Sequence, residues 1–174
     1  YSIGGFSNGT HTVTVTYSGD EAFAESMNST TFIVSKYDSS LTVDVSEGMV
    51  GENITITITG PNDADGDVEI VINGTVYNVV MSNGKAILNT SFAKYGQYNI
   101  NVNYKGNNKY YSSNNASSFM VNALKSIFVV SVDDIKVGEN ANIIVTVSND
   151  ATGRVTIVVD GESYNSTISN GKAT

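Results

Sequence analysis

The 174-residue chain has no cysteine, few positive charges and no long apolar run. Without cysteine there is no disulfide, no thiolate nucleophile and no thiolate-bound metal. Because Asp and Glu number 17 against 9 Lys and Arg, the formal net charge is −8, which argues against nucleic acid or an anionic membrane surface as the main partner. No apolar stretch approaches the roughly 18 residues of a membrane-spanning helix, and we expect no membrane insertion by this segment.

The sequence repeats itself at an interval of 87 residues. Residues 51–53 and 82–86 recur unchanged as residues 138–140 and 169–173. Between positions 51 and 86, 20 of the 36 residues are identical to the residue 87 positions later. The remaining positions agree more loosely but at the same offset, as in the pairs Tyr17/Tyr104, Phe32/Phe119 and Val34/Val121. Such self-similarity predicts a tandem array of one structural unit.

Within each unit, apolar and polar residues alternate with a period of two. Ile54, Ile56 and Ile58 are separated by threonines, and Ile100 and Val102 are flanked by asparagines. This pattern predicts antiparallel strands with one buried face and one solvated face. Four dipeptides that tolerate positive φ predict tight hairpin turns: Asn73-Gly74, Asn83-Gly84, Asp160-Gly161 and Asn170-Gly171.

The spacing of these patterns predicts an all-β fold of tandem immunoglobulin-like β-sandwich repeats, with a closed barrel as the alternative. Tyr98, just after Gly96, lies where such a domain has a tyrosine whose hydroxyl binds the backbone of the preceding corner. One unit is predicted to contain strands at residues 40–46, 53–59, 67–73, 75–82, 85–91, 97–104 and 116–122.

The repeat predicts three segments. Residues 36–122 form a complete unit, residues 1–35 the last strands of a preceding unit, and residues 123–174 the first strands of a following one. Neither partial unit can bury its apolar face alone. One hypothesis is therefore that the partial units of successive chains complement one another head to tail.

Three strings resemble the bacterial-type Ig-like (Big family) repeats of adhesin-like surface proteins, notably those of methanogenic archaea. They are Gly-Glu-Asn-Ile-Thr-Ile-Thr at 51–57, Asn-Gly-Lys-Ala at 83–86 and Thr-Val-Thr-Val-Thr-Tyr-Ser-Gly-Asp at 12–20. The middle unit departs from the last string with Lys105 and Asn107, which argues against an essential acidic role there.

The resemblance implies a noncatalytic structural repeat of an extracellular fibre or stalk, at the cell surface or cell wall, that spaces and presents an adhesive tip. The partners implied are neighbouring repeats and, through the parent protein, surface glycans or proteins of a host or another microbe. The alternative is an Ig-like adhesion module that itself binds carbohydrate or protein.

One short motif in the sequence resembles a catalytic site, but its context argues against catalysis. Residues 5–9 match the G-x-S-x-G string of serine hydrolases, with His11 nearby. That motif needs a strand before the serine and a helix after it, whereas here a predicted strand follows. His11 is the only histidine and matches Tyr98 in the repeat, which predicts a structural role. We expect no enzyme activity, no catalytic residue and no organic cofactor.

Asp63, Asp65 and Asp67 form an oxygen-rich cluster of the kind that calcium prefers. In the repeat, Asp65 and Asp67 are matched by Thr152 and Arg154, so a polar turn is the favoured interpretation and calcium the alternative. A second calcium hypothesis, at a junction between units, uses Asp38, Glu47, Asp133 or Asp134.

Two further sets of surface residues are candidates. Tyr111 is the candidate for ligand contact, because the neighbouring Tyr110 matches Phe23 and is predicted to be in the core, whereas Tyr111 matches Ala24. In an exported glycoprotein the Asn-x-Ser/Thr sequons are candidate glycosylation sites, with Asn28, Asn73 and Asn115 favoured. The full set is Asn8, Asn28, Asn53, Asn73, Asn89, Asn115 and Asn165.

Overall fold

A computed structural model describes residues 1–173. These residues form strands, turns and loops without any helix, which confirms the predicted all-β class. Within the described residues there is no helix long and apolar enough to cross a membrane. The chain divides into two compact units, Tyr1–Ala123 and a second that begins at Leu124.

The first unit contains a separate hairpin and a larger body with two sheets. The hairpin strands are β1 (Gly9–Tyr17) and β2 (Ser26–Val34). The strands of the larger body are β3 (Thr42–Val45), β4 (Asn53–Thr59), β5 (Gly66–Ile72), β6 (Thr75–Met81), β7 (Lys85–Ser91), β8 (Gly96–Tyr104) and β9 (Ser113–Val121).

The larger body has its core between a three-stranded sheet, in the order β3-β4-β7, and a four-stranded sheet, in the order β6-β5-β8-β9. Every second residue of the central strands faces inward, so that Ile54, Ile56 and Ile58 of β4 are 0% exposed. They share one buried cluster with Ile70 of β5 and Ile100 of β8. Burial of each isoleucine contributes about 1.5–3 kcal/mol, and the arrangement is consistent with a β-sandwich.

The segment before β4 closes one edge of this body. Tyr37 forms a parallel bridge with Tyr110, and Met49 forms another with Asn122. Between these bridges, β3 pairs instead with β4. The predicted strand 40–46 is shorter in the structure, as Thr42–Val45, and the two bridges on either side of it reach the residues just before and just after β9.

The hairpin β1–β2 forms a two-stranded sheet of its own. Its strands pair in register from Gly9 opposite Val34 to Tyr17 opposite Ser26. The apolar side chains of β1 that alternate with threonine are largely exposed: Val13 by 41%, Val15 by 65% and Tyr17 by 43%.

The second unit also has two sheets, in the order β10-β11-β14 and β12-β13. Its small core consists of Val145, Val147, Val155 and Ala173. Large apolar side chains on β10 and β12 remain exposed, including Phe128 by 60% and Val158 by 62%. The strands are β10 (Phe128–Val132), β11 (Ile143–Val147), β12 (Gly153–Val159), β13 (Glu162–Ile168) and β14 (Lys172–Ala173).

The predicted hairpin turns are confirmed. Asn73, Asn83, Asp160 and Asn170 have positive φ, between 45° and 49°, and each is followed by a glycine with positive φ. Asn and Asp tolerate this left-handed conformation better than other non-glycine residues. The strand predicted at 116–122 begins earlier, at Ser113, because Ser113 and Asn114 pair with β8 although they give no apolar signal.

Candidate functional site

The ligand-contact candidate Tyr111 and the calcium candidates Asp63 and Asp65 lie in two loops at one end of the sandwich-like body, whereas Asp67 is the second residue of β5. One loop joins β4 to β5 and the other joins β8 to β9. Side chains from both loops meet in a group that we call the Asp63 cluster, formed by Asp63, Asp65, Asn107, Lys109 and Tyr110.

Asn107 holds the β8–β9 loop in shape. Its Oδ1 accepts hydrogen bonds from the backbone N–H groups of Lys109 and Tyr110, both at 2.8 Å. Its Nδ2 donates to the backbone carbonyl of Asp65 at 3.2 Å and to the Asp65 carboxylate. Asn107 therefore fixes its own loop and joins it to the β4–β5 loop, which leaves its amide engaged within the protein.

The β8–β9 loop also requires glycine at position 106. Gly106 has φ +80°, and a Cβ atom there would lie 2.8 Å from both the Ser112 nitrogen and the Tyr110 carbonyl oxygen. Those atoms belong to the backbone and cannot move aside as a flexible side chain would. The backbone of residues 110–112 therefore packs directly against Gly106, and this contact helps to fix the backbone at Tyr111.

Asp63 accepts hydrogen bonds from the Lys109 ammonium and the Tyr110 hydroxyl. The Lys109 hydrogen bond, followed by that of Tyr110, holds the pKa of Asp63 below its usual value. The same hydrogen bonds to Asp63 raise the pKa of Lys109 and of Tyr110. The carboxylate therefore has two donors from its own chain, and the charge of Lys109 is balanced locally.

Tyr104 anchors the cluster to the core. The side chain is 0% exposed, and its hydroxyl donates to the backbone carbonyl of Asp65 at 2.7 Å. Burial raises the pKa of Tyr104, with the nearby charge of Asp65 as the second cause. Tyr104 is thus a neutral hydrogen-bond donor that positions the β4–β5 loop.

The three predicted calcium ligands do not converge. Asp63 binds Lys109 and Tyr110, Asp65 binds Asn107, and the described contact of Asp67 is through its backbone carbonyl, which accepts from Lys105. In the part of the chain that the structure describes, no three acidic or histidine side chains form a group that could hold a metal ion.

The two tyrosines just before β9 lie in different environments. Tyr110 is 8% exposed, in agreement with its predicted core position, whereas Tyr111 is 47% exposed. The backbone around Tyr111 is fixed, since its N–H donates to the Tyr37 carbonyl at 2.9 Å and its carbonyl accepts from the Ser39 hydroxyl at 2.7 Å. Tyr111 is therefore an exposed ring on an ordered backbone.

Tyr37 is a site residue that the sequence did not single out. Its ring is 66% exposed and lies 6.2 Å from the Tyr110 ring, centroid to centroid. The Lys109 nitrogen lies 5.8 Å from the Tyr37 ring and 5.3 Å from the Tyr110 ring, within the range of cation–π attraction. The repeat could have indicated that this position differs between units, because its counterpart is Leu124.

The hairpin β1–β2 contains a loop with the same internal hydrogen bonds. Asp20 Oδ1 accepts from the backbone N–H groups of Ala22 at 2.8 Å and Phe23 at 2.9 Å, as Asn107 does in its loop. The Tyr17 hydroxyl donates to Asp20 Oδ2 at 2.6 Å, and this bond is the main cause that lowers the pKa of Asp20. What the two loops share is an acceptor oxygen, which both Asp and Asn provide.

His11 and Ser7 are placed in a corner of the backbone. His11 Nε2 lies 2.8 Å from the Ser7 carbonyl oxygen, a main-chain atom. The His11 ring packs beside Phe6 and Phe32 at 5.1 and 5.4 Å between centroids. The strand β1 follows the motif at residues 5–9, where a serine-hydrolase elbow would have a helix.

The seven sequons differ in how their Nδ2 atoms, the atoms to which an N-linked glycan attaches, are used. Asn28 and Asn73 are exposed. Asn115 is half-buried, and its Nδ2 donates to the Leu41 carbonyl at 2.6 Å; Asn8 Nδ2 donates to the Val34 carbonyl at 3.0 Å. A glycan on either of the last two requires that hydrogen bond to break. The remaining sequon asparagines, at 53, 89 and 165, are exposed.

A scan against models of known protein families finds no family that matches the chain. A search of curated proteins likewise finds no matching relative.

Proposed function

We propose that the chain is a noncatalytic structural segment of an extracellular, adhesin-like fibre or stalk, built from tandem Ig-like units of 87 residues. The observation that carries this proposal is that positions 87 residues apart make the same contacts. Asp20 and Asn107 each accept two backbone N–H groups of their loop. Asp160 and Asn73 both take positive φ in a hairpin turn.

Strand positions support the same interpretation. The bounds of β1 and β2 coincide with those of β8 and β9 after a shift of 87 residues, and β12 and β13 coincide with β5 and β6 after the same shift. The strand order of the larger body, with β3-β4-β7 in one sheet and β6-β5-β8-β9 in the other, suits an Ig-like sandwich. A protein built from repeats of one unit is suited to hold an adhesive tip at a fixed distance from the cell surface, because its length increases with the number of units.

The mechanism proposed is mechanical. A unit with its own core resists extension as a whole, and short, ordered connections between units limit bending. The segment 36–39 supports this, since Lys36 donates to the Asn107 carbonyl at 2.6 Å and Tyr37 and Ser39 pair with the chain at Lys109 and Tyr111. Neighbouring repeats would then be the direct partners, and an adhesive tip elsewhere in the parent would bind a surface glycan or protein.

Extension of the chain by force, held at its two ends, tests this proposal. Unfolding of residues 36–122 is expected as one distinct event that lengthens the chain by on the order of 300 Å. Ile56→Ala, which removes a fully buried side chain, should lower the unfolding force. Ile87→Ala, at a position 54% exposed, is the matched control and should leave it nearly unchanged. Smooth extension without a separate event would contradict the proposal.

The alternative is a binding module, and one observation favours it. Tyr111 presents an exposed ring on a backbone held by Tyr37 and Ser39, and a preorganised aromatic ring can bind a ligand at a low entropic cost. Glycan-array binding that Tyr111→Ala abolishes would support this alternative. Tyr95→Ala is the control, because Tyr95 is 71% exposed but lies in the loop before β8.

A further inference from the structure

We propose that the open edge of β12 in one chain binds the β1–β2 hairpin of a second copy of this chain and completes a sandwich like that of residues 36–122. The inference rests on the repeat that the proposed function invokes. It assigns a specific occupant and a specific register to two apolar surfaces that the described residues leave exposed.

The first observation is the pairing in the larger body. There β5 pairs with β8 in an antiparallel register, and the side chains of the inward-facing pairs are at most 2% exposed. The strands equivalent to β5 and β8 after a shift of 87 residues are β12 and β1. Within residues 1–173, β12 pairs with β13 and β1 pairs with β2, and neither has a second neighbour. The inward pairs are Val68↔Tyr104, Ile70↔Val102 and Ile72↔Ile100.

The second observation is exposure at the equivalent positions. Val102 is 1% exposed, whereas its equivalent Val15 is 65% exposed; Ile72 is 2% exposed, whereas its equivalent Val159 is 43% exposed. Apolar side chains at the same strand positions are thus buried in one context and in contact with water in the other. The register inferred for the second copy pairs Val155 with Tyr17, Ile157 with Val15, and Val159 with Val13.

The third observation is a groove in the second unit. It has a volume of about 540 Å³ and is lined by Ile143 of β11, Ile157 and Val159 of β12 and Tyr164 of β13. In the larger body the residues equivalent to Ile143, Ile157 and Val159 are Ile56, Ile70 and Ile72, all buried in one cluster with Ile100 and Val102 of β8. The groove therefore lies where side chains of a β8-like strand would pack.

The other strand of the hairpin also has a matching surface. In the larger body, the Tyr37 N–H donates to the Lys109 carbonyl at 2.8 Å, and Tyr110 is 8% exposed. The equivalents of Tyr37 and Tyr110 are Leu124 and Phe23, which are 57% and 69% exposed. A docked hairpin would bring Phe23 beside Leu124, so that β2 covers the segment that precedes β10.

Such a contact is heterologous, because each chain offers a hairpin at one surface and an edge at another. Heterologous contacts propagate into rings or open filaments rather than stopping at a dimer. The proposal therefore predicts association that increases with protein concentration and joins chains head to tail, in keeping with a fibre.

Thiol cross-linking between two single-cysteine variants tests the register, since the native chain has no cysteine. Thr14 and Val158 correspond to the outward-facing pair Asn101 and Val71. We expect a mixture of Thr14→Cys and Val158→Cys chains, treated with a short thiol cross-linker, to give the heterodimer in large excess over either homodimer. Thr10→Cys mixed with Val158→Cys is the control, because four residues along a strand displace the thiol by about 13 Å.

A second pair of variants tests the apolar contact. Val15→Asp should weaken association by at least about tenfold, because docking would bury an unpaired carboxylate. Thr14→Asp, on the opposite face of the same strand, is the matched control and should associate within a fewfold of the native chain. Since Val15 lies outside the buried cluster of the larger body, both variants should retain the unfolding midpoint of that body.

Three results would overturn the proposal. These are a strictly monomeric chain at all concentrations, equal cross-linking from positions 10 and 14, or cross-links formed within a single Thr14→Cys/Val158→Cys chain. If one of these results is found while residues 36–122 still unfold as one distinct event under force, the binding of the hairpin by a second copy is rejected and the proposed structural role is retained. If that unfolding event is absent, the result counts against the proposed function itself.

Discussion

The Tyr98 hydroxyl donates a hydrogen bond to the Lys94 carbonyl at 3.0 Å. This bond crosses the corner that leads into β8, four residues upstream, which confirms the hydroxyl-to-backbone contact predicted from the position of Tyr98 after Gly96. The ring packs against Phe92 and Phe119 at 4.4 and 5.7 Å between centroids. At the equivalent corner before β1, His11 Nε2 contacts the Ser7 carbonyl, so two different side chains reach the same main-chain position.

Replacement of Tyr98 by phenylalanine removes the hydroxyl and keeps the ring contacts. We expect the free energy of unfolding to fall by about 0.5–1.5 kcal/mol, the usual net contribution of one such hydrogen bond. Urea unfolding measures the change. Tyr95→Phe, at a position 71% exposed, is the control. Equal stabilities of the Tyr98→Phe variant and the native chain would show that the corner bond contributes nothing.

Gly106→Ala should destabilise the larger body by about 2 kcal/mol or more. Part of the cost is the positive φ, typically about 1–2 kcal/mol for a residue with a Cβ, and the rest is the close approach of the Ser112 and Tyr110 backbone atoms. Gly74→Ala separates the two terms, because Gly74 has φ +89° with no atom within 4 Å of the added Cβ. If the denaturant midpoints fall equally for both variants, the close approach of the Ser112 and Tyr110 backbone atoms adds nothing to the cost of Gly106→Ala, which would contradict this prediction.

Asp63 should contribute to the acid sensitivity of folding. Its pKa is lowered in the folded protein by Lys109 first and Tyr110 second. A carboxyl with a lowered folded pKa stabilises the protein at any pH above its unfolded pKa, about 3.9, and that stabilisation is lost as pH falls through the folded pKa. Asp63→Asn should therefore flatten the fall in stability below about pH 4.

Variants of Lys109 and Tyr110, the two residues that lower the pKa of Asp63, provide a second test of this acid sensitivity. Lys109→Met should reduce the acid sensitivity due to Asp63 more than Tyr110→Phe does, since the Lys109 hydrogen bond is the larger cause. Unfolding midpoints recorded against pH for all three variants would show this. Parallel pH profiles for Asp63→Asn and the native chain would be the contrary result.

The strands could be predicted from sequence because each carries its own local signal. In β4 every second residue is an isoleucine that the sandwich-like body buries, and in the turns Asn73 and Asn83 mark the positive φ directly. The start of β9 was missed because Ser113 and Asn114 are polar, and their pairing with β8 depends on a strand that lies earlier in the chain.

The candidate site was harder to predict because its contacts join distant parts of the sequence. Asp63 and Lys109 are 46 residues apart, and Asn107 and Asp65 are 42 apart. The composition of the β4–β5 loop favoured a polar turn with calcium as the alternative, but it could not show that the hydrogen-bond donors to Asp63 and Asp65 come from the β8–β9 loop. Comparison of the repeats did identify Tyr110 as buried and Tyr111 as exposed, since that inference needed only the equivalent positions.

An exchange of hairpins tests most directly whether one unit is repeated. Residues 96–121 would be replaced by residues 9–34, a segment of equal length that places Val13, Val15 and Tyr17 at the positions of Ile100, Val102 and Tyr104. A second chimera, carrying residues 8–33 instead, is shifted by one position and turns every side chain to the opposite face. Urea unfolding followed by circular dichroism should show a cooperative transition for the first chimera and none for the second. Equal loss of the transition in both would contradict the repeat.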